Sequence, residues 1–420
     1  MALCIVHAAD LHLDTPFSGV GRVAPDVAAA LQDASLEAWD NLVRLTLDER
    51  ADVLLLAGDI YDGPERGLRA QLRVLEGLRR LSGVGVRTFI VHGDHDPLDG
   101  NWSAVRRWPD GVHLFGTERA ERIPLGEAAG VSGISCARRD EPRDLAALFG
   151  REVAGGLEIG LLHCGVGADP AHSPCAPTTA EELANADLDY WALGHVHTRR
   201  EVHAGHPWIE YPGNLQGLSP APGELGPKGA LVVRADPGRG LVDPPRFVPL
   251  DSVRFLHLSL DVSEAPDVPV ALGLVGEALG ATREAHAGRG LILRLTLGGR
   301  GAAGGELRAL GPSEILRQLR EEALGQEPFI WWQGVTLDLP RAWRREDLLG
   351  RGDFVAELLA QVDKLAEDPL PFVREAGRIS ATLARRARAA GLDERAAAAL
   401  LAAAEDRCLD LLLPGGGDGA

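Results

Sequence analysis

Long apolar runs are missing from this 420-residue chain. No stretch reaches the roughly 18 residues needed to span a bilayer, and the nearest, the Ala/Leu run from Ala396 to Ala404, is short. A helical membrane protein is thereby excluded. Cysteine is scarce: Cys4, Cys136, Cys164, Cys175 and Cys408 are odd in number and far apart. That usage excludes a disulfide framework and fits a reducing, cytoplasmic setting. No CxxC spacing occurs, so the sequence offers no zinc–thiolate motif. Lysine is almost absent, with only Lys228 and Lys364 among 43 basic residues, which reads as genomic base composition. A positive excess is lacking too: 43 Lys and Arg face 61 Asp and Glu, a net charge of −18. Bulk charge therefore does not draw this chain onto DNA, although an enzyme can import positive charge as bound metal. The opening MALCIVHAAD lacks a basic stretch and reads as a buried first strand, not a secretory leader.

What is present is ordinary globular material, 45% hydrophobic and 25% charged, long enough for two or three domains. In the first part, strand-length apolar runs (Leu3–His7, Val53–Ala57, Val86–Val91, Gly160–His163, Tyr190–Leu193) alternate with helical patterns over Ala24–Arg50 and Gly67–Leu81. That alternation predicts sheet layers flanked by helices. Arg234–Leu250, rich in proline and glycine, marks a domain boundary. Beyond it, strands at Val253–Val262, Leu291–Leu297 and Phe329–Leu339 alternate with helices at Val268–Leu279 and Ser313–Glu322, and Gly298–Gly305 reads as a loop. Three helical segments follow, Phe354–Ala366, Phe372–Ala389 and Glu394–Leu412. The resulting division is residues 1–240, a capping domain over 241–340, a helical region over 341–413 and a disordered tail over 414–420.

Five polar motifs fall directly after the strands of the first part: Asp10-Leu-His12, Gly58-Asp59-Ile-Tyr-Asp62, Gly93-Asp94-His95-Asp96, His163 and Gly194-His195-Val-His197. In layered α/β proteins the strand ends are where ligands bind. Carboxylates and imidazoles without thiolates suit Mn²⁺ best, with Fe²⁺ or Zn²⁺ also accepted. The set is large enough for two ions of the kind used in phosphoester hydrolysis. Asp10, His12 and His197 complete one site; Asp94, His163 and His195 complete the other; Asp59 bridges them. Spacing of i, i+2 puts the His195 and His197 rings on one side of an extended segment. Glycines 58, 93 and 194 permit sharp turns that aim the next side chain. His95, beside a ligand, is the natural general acid for the leaving alcohol, with Asp96 to orient it. His7, His92, His203, His206 and His257 have no such company and read as structural.

These motifs resemble the calcineurin-like metallophosphoesterase superfamily, whose pattern is D-x-H, GD-x-x-D, GNH-D/E, H and GH-x-H. HAADLHLDTPF, ADVLLLAGDIYDG and YWALGHVHTRR carry the likeness, and Tyr211-Pro-Gly-Asn-Leu-Gln-Gly with Gly226-Pro-Lys-Gly-Ala resembles the SbcD- and YhaO-type DNA repair exonuclease branch. The resemblance covers residues 1–235. It implies a four-layer α/β sandwich, two sheets flanked by helices, carrying a small α+β capping domain and a C-terminal helical region. It implies two-metal hydrolysis of DNA, a coiled-coil ATPase subunit of the SbcC type meeting the C-terminal helices, and a homodimer. Asp94 departs from the family's asparagine; its added charge should tighten metal binding while lowering Lewis acidity. Arg69, Arg73, Arg79, Arg80, Arg199 and Arg200 are candidates for contacting the phosphate backbone, or else a solvated face. Two other functions fit the core motifs: a small-molecule phosphoesterase (a cyclic-nucleotide phosphodiesterase or nucleotidase) and a non-catalytic scaffold.

Overall fold

Three apolar runs, β1 (Leu3–Ala8), β2 (Val53–Ala57) and β3 (Arg87–Val91), are buried almost throughout, as strands covered on both faces must be. The helices α1 (Pro25–Asp48) and α2 (Leu68–Ser82) connect them, and the strands pair in parallel. The coordinates, a computed structural model, describe residues 2–20, 23–62, 67–98, 105, 107–167, 175–339, 345–371 and 394–413. The expected helix Phe372–Ala389 and the tail 414–420 lie outside them.

The chain continues through β4 (Val112–Leu114), β5 (Glu121–Pro124), β6 (Ala129–Ile134), β7 (Leu157–His163), α3 (Ala180–Asn185), β8 (Tyr190–Gly194), β9 (Arg200–His203) and β10 (Trp208–Tyr211). It then forms β11 (Gly229–Asp236), β12 (Gly240–Leu241) and β13 (Arg246–Pro249). One sheet has the order β12-β11-β1-β2-β3-β4, with β13 also paired to β11; the other has the order β5-β6-β7-β8-β10-β9. The two face each other across an apolar layer in which Ile5, Leu55, Phe89 and Val91 meet Val131, Ile159, Leu161 and Tyr190. The outer face of the first sheet packs Val6, Leu54, Leu56 and Ile90 on Trp39 and Leu42 of α1 and Val74 and Leu78 of α2. The outer face of the second packs Leu162, Trp191 and Leu193 on Leu183 of α3. Helix, sheet, sheet, helix is the four-layer sandwich expected. The helices sit close because Gly77 leaves room for the Trp39 indole, whose Nε1–H donates to the Arg73 carbonyl at 3.1 Å.

Later elements are β14 (Val253–Asp261), α4 (Val268–Ala285), β15 (Gly290–Gly298), α5 (Gly304–Leu310), α6 (Pro312–Glu322), β16 (Ile330–Asp338), α7 (Arg345–Leu349), α8 (Phe354–Ala366) and α9 (Glu394–Leu412). β14, β15 and β16 form a third sheet in that order. The stretch read as a glycine loop ends in α5, which starts at Gly304. The chain divides into two compact units. The first comprises Met1–Leu256, Ala287–Leu293 and Ala323–Gln333, and the second His257–His286, Arg294–Glu322 and Gly334–Ala420. Within the second, Leu348, Val355, Leu359 and Leu409 make a small core.

Candidate metal centre

β1, β2, β3, β7 and β8 all deliver polar residues at their C-terminal ends, and the facing of the two sheets gathers those ends. Asp10 and His12 follow β1, Asp59 follows β2, Asp94 and His95 follow β3, His163 closes β7, and His195 and His197 follow β8. Ligand-type atoms of Asp10, His12 and His197 lie within 4.8 Å of one another; so do those of Asp10, Asp59 and His163, and those of Asp94, His163, His195 and Cys175. The predicted metal ligands thus come together without exception. Asp59 reaches both sides, with Oδ2 3.7 Å from His12 Nε2 and 3.4 Å from His163 Nε2.

The local backbone is bent to achieve this. Asp10, His12, Asp59 and His195 have φ of 50, 41, 50 and 107°, left-handed values that cost non-glycine residues energy and collect at functional sites. Backbone bonds hold the bends: Asp10 N–H donates to the Gly58 carbonyl at 3.1 Å and His12 N–H to the Asp59 carbonyl at 2.9 Å. The glycines do less turning than expected and more clearing of space. Only Gly58 of the three has positive φ, while a Cβ on Gly58, Gly93 or Gly194 would run into the His163 ring.

Hydrogen bonds on the far side of two of the rings, His163 and His197, fix the tautomer. His163 Nδ1–H donates to the Ala57 carbonyl at 2.9 Å, which turns Nε2 toward Asp94 Oδ1 at 3.0 Å. His197 Nδ1–H donates to Glu224 Oε1 at 2.5 Å, turning its Nε2 toward His12 Nε2 at 3.1 Å. Two imidazole nitrogens aimed at each other at that distance can share a proton or a cation and nothing else. Burial, with the neighbouring His197, brings His12 down to about 4, so it stays a neutral donor. Burial, with the nearby Asp94, pushes Asp59 up to about 7. Against the upward push of burial, hydrogen bonds from His163 and His195 hold Asp94 well below the usual carboxylate range. Three carboxylates at most 4% exposed need positive charge among them, and protons on the rings hold the places that divalent ions fit. The donor set therefore suits a two-metal centre.

Glu224 carries no motif of its own in the sequence. It sits in the segment that links Asn214 to Lys228: Asn214 Nδ2–H donates to Glu224 Oε2 at 2.7 Å, and Lys228 Nζ–H donates to the His197 carbonyl at 2.7 Å. The YPGN…KG motif thus builds the support behind His197, the outer layer that orients a ligand.

His95 is exposed enough to meet a substrate. Its Nδ1 pairs with Asp62 Oδ1 at 2.7 Å, and its Nε2 lies 3.9 Å from Asp94 Oδ2. The hydrogen bond to Asp62, helped by the charges of Asp59 and Asp94, pushes it up to about 9. Asp96 does not orient His95. It is fully buried and accepts from the Gly93 N–H at 2.8 Å and the Ile60 N–H at 2.9 Å, while the His92 ring lies 2.9 Å away. It ties the β2 and β3 loops together, and its place beside His95 belongs to Asp62. His7 is structural as expected, bonded to Tyr190 Oη and the Leu193 carbonyl. Among the described residues, three of the six arginines have partners: Arg69 pairs with Asp33, Arg73 with Asp40, and Arg199 lies over the Phe247 ring.

A model of the calcineurin-like phosphoesterases matches residues 4–199, and one described as metallophosphoesterase YhaO, middle domain, matches residues 255–340. The uncharacterized metallophosphoesterase YhaO of Bacillus subtilis (strain 168) is 30% identical over 339 residues, 78% of this chain and 80% of that protein. The DNA double-strand break repair protein Mre11 of Aeropyrum pernix is 29% identical over 51% of this chain and 54% of its own length. One subunit of the nuclease SbcCD of Bacillus subtilis, SbcD, is 26% identical over 56% of this chain and 66% of its own length.

Proposed function

Because this chain belongs to the calcineurin-like metallophosphoesterase family, on the branch of YhaO and SbcD, we propose that it is a metal-dependent phosphodiesterase that cuts DNA in repair. The observation that carries the reading is the buried meeting of Asp10, Asp59 and Asp94 with His12, His163, His195 and His197. Asp10, His12 and His197 would hold one divalent ion, Asp94, His163 and His195 a second, and Asp59 both. Mn²⁺ is the ion favoured by the oxygen and nitrogen donors. Bound there, two ions supply Lewis acidity toward a phosphodiester and acidify water.

The rest is done by side chains. Asp62 fixes the His95 ring through Nδ1, so that the proton on Nε2 is available for the departing sugar oxygen. Glu224 and Ala57 hold the His197 and His163 rings in one orientation throughout. DNA as substrate draws on the relatives named above, one a break-repair protein and one a nuclease subunit. A net charge of −18 means that affinity rests on the ions, on arginines such as Arg79, Arg80 and Arg200, and on a partner. The partner proposed is a coiled-coil ATPase subunit engaging the helical region after residue 341, and a second copy of the chain is the other. The cytoplasm is the proposed compartment. The capping domain over 241–340 would select DNA ends.

The test offers the protein, with Mn²⁺, linear duplex DNA and small phosphodiesters side by side. DNA cleavage abolished by His95→Ala is expected. Turnover of the small diesters with DNA left intact would sink the nuclease reading in favour of a small-molecule phosphoesterase. No activity on either, with binding of a partner retained, would leave a scaffold.

A further inference from the structure

Cys175 stands beside the second of these two sites, where the sequence has no thiolate motif to announce it. Its Sγ is fully buried and lies within 4.8 Å of ligand atoms of Asp94, His163 and His195. The backbone around it is pinned. Gly165 N–H donates to the Cys175 carbonyl at 2.8 Å, Thr178 N–H returns to the Gly165 carbonyl at 3.0 Å, and Val166 bridges to Thr178. Ala176 next to it takes φ of 40°, so the chain turns sharply just where the thiol is directed inward. Behind it, Cys136 Sγ is 3.4 Å from Cys175 Sγ and 3.6 Å from the His163 carbonyl.

We propose that Cys175 is a ligand of the second ion, completing an Asp94–His163–Cys175–His195 set that selects a thiophilic metal, Zn²⁺, Fe²⁺ or Co²⁺, over Mn²⁺. This rests on the metal-centre reading above. On binding, the thiol proton leaves for solvent and the sulfur lone pair is donated to the ion, so uptake at this site releases a proton. The Cys136 S–H is within reach to donate to the resulting thiolate. Asp94, the thiolate and a share of the bridging Asp59 would then offset the charge of the divalent ion. Asp94 in place of asparagine fits that arrangement, because charge neutrality favours a tightly held ion. With the bridging Asp59, five protein ligands would close this site, leaving the ion on Asp10, His12, His197 and Asp59 as the stronger activator of substrate. A buried cysteine often serves only as a small hydrophobe, but that role does not require three ligand-type side chains around the sulfur.

X-ray absorption on the zinc-loaded wild-type protein tests this without any variant: a sulfur neighbour at about 2.3 Å is expected beside nitrogen and oxygen. Cobalt titration followed in the near ultraviolet gives the second readout. The thiolate-to-cobalt band should appear in the wild type and in Cys136→Ser and vanish in Cys175→Ser. Zinc affinity in Cys175→Ser should fall on the order of ten- to a hundredfold, with manganese affinity changing less. Metal bound at two ions per chain with no sulfur neighbour and no band overturns the role of Cys175 while the metal centre stands. No metal bound at all overturns the metal centre itself, and the role of Cys175 with it.

Discussion

At the scale of the residue, the decisive pairing is His95 with Asp62. A leaving sugar oxygen is a poor leaving group without a proton, and only a ring held in place can supply one on time. Asp62→Asn removes the charged acceptor but keeps the size of the side chain. It should lower turnover of DNA about a hundredfold, the low end of what general acid catalysis contributes. Diesters that expel a phenolate need no such proton and should be slowed far less; equal loss on both would place Asp62 in structure alone. Asp94→Asn makes the opposite trade. Removing the charge of a direct ligand should weaken metal binding by at least about tenfold, and turnover at saturating metal should rise because Lewis acidity recovers. Isothermal titration against kinetics at several metal concentrations separates the two effects. The ligands were legible in the sequence because each closes a strand or lies within four residues of its end. Asp62, Glu224 and Cys175 were not legible in their roles. Glu224 meets His197 across 27 residues, and Cys175 meets Asp94 only because two sheets close on each other.

Among the elements, β1, β2, β3, β7 and β8 with α1 and α2 followed from apolar period alone, since burial on both faces leaves an unbroken hydrophobic run, whereas the buried β6 and β11 were not read. Nor were β4, β5, β9, β12 and β13, because strands of two to four residues with partly exposed side chains carry too little pattern to read. β10 hides a cost that no pattern reveals. Glu210 is 1% exposed, lies opposite Glu201 of β9, and its Oε2 has no hydrogen-bond partner among the described residues. Burial, and then the Glu201 charge, push its carboxyl up to about 7 from an ordinary 4.5. Below the ordinary value both folded and unfolded chains hold the proton, and stability is unaffected. As pH rises toward 7 the unfolded chain releases it first, so the folded state loses stability across that window and stays lower above it. Glu210→Gln should abolish the loss, gaining on the order of 2 kcal/mol over wild type at pH 8 and little at pH 4.5, after allowance for solvent screening. Urea unfolding at the two pH values reads it, and an equal gain at both would refute a titrating Glu210.

For the whole molecule, the distribution of charge ties folding to metal. Residues 1–240 hold 34 acidic and 22 basic side chains, −12 of the total −18, and the metal centre lies in that stretch. Asp10, Asp59 and Asp94 are buried together there, so the first compact unit folds around a concentration of negative charge. Divalent ions at the centre would offset that charge. An ion that binds the folded state alone stabilises it by RT ln(1 + [M]/Kd), about 2.7 kcal/mol at a hundred times Kd for each site. For a unit of this size that is on the order of 5–10 °C in unfolding midpoint per site. The second unit draws on Leu348, Val355, Leu359 and Leu409 and holds none of the seven ligands, so chelation has nothing to remove from it. Calorimetry of protein stripped with EDTA and then reloaded should therefore show one transition that moves with metal and a remainder that does not. A midpoint indifferent to metal would mean that ring protons alone balance the buried carboxylates, and that the site does not fold around ions.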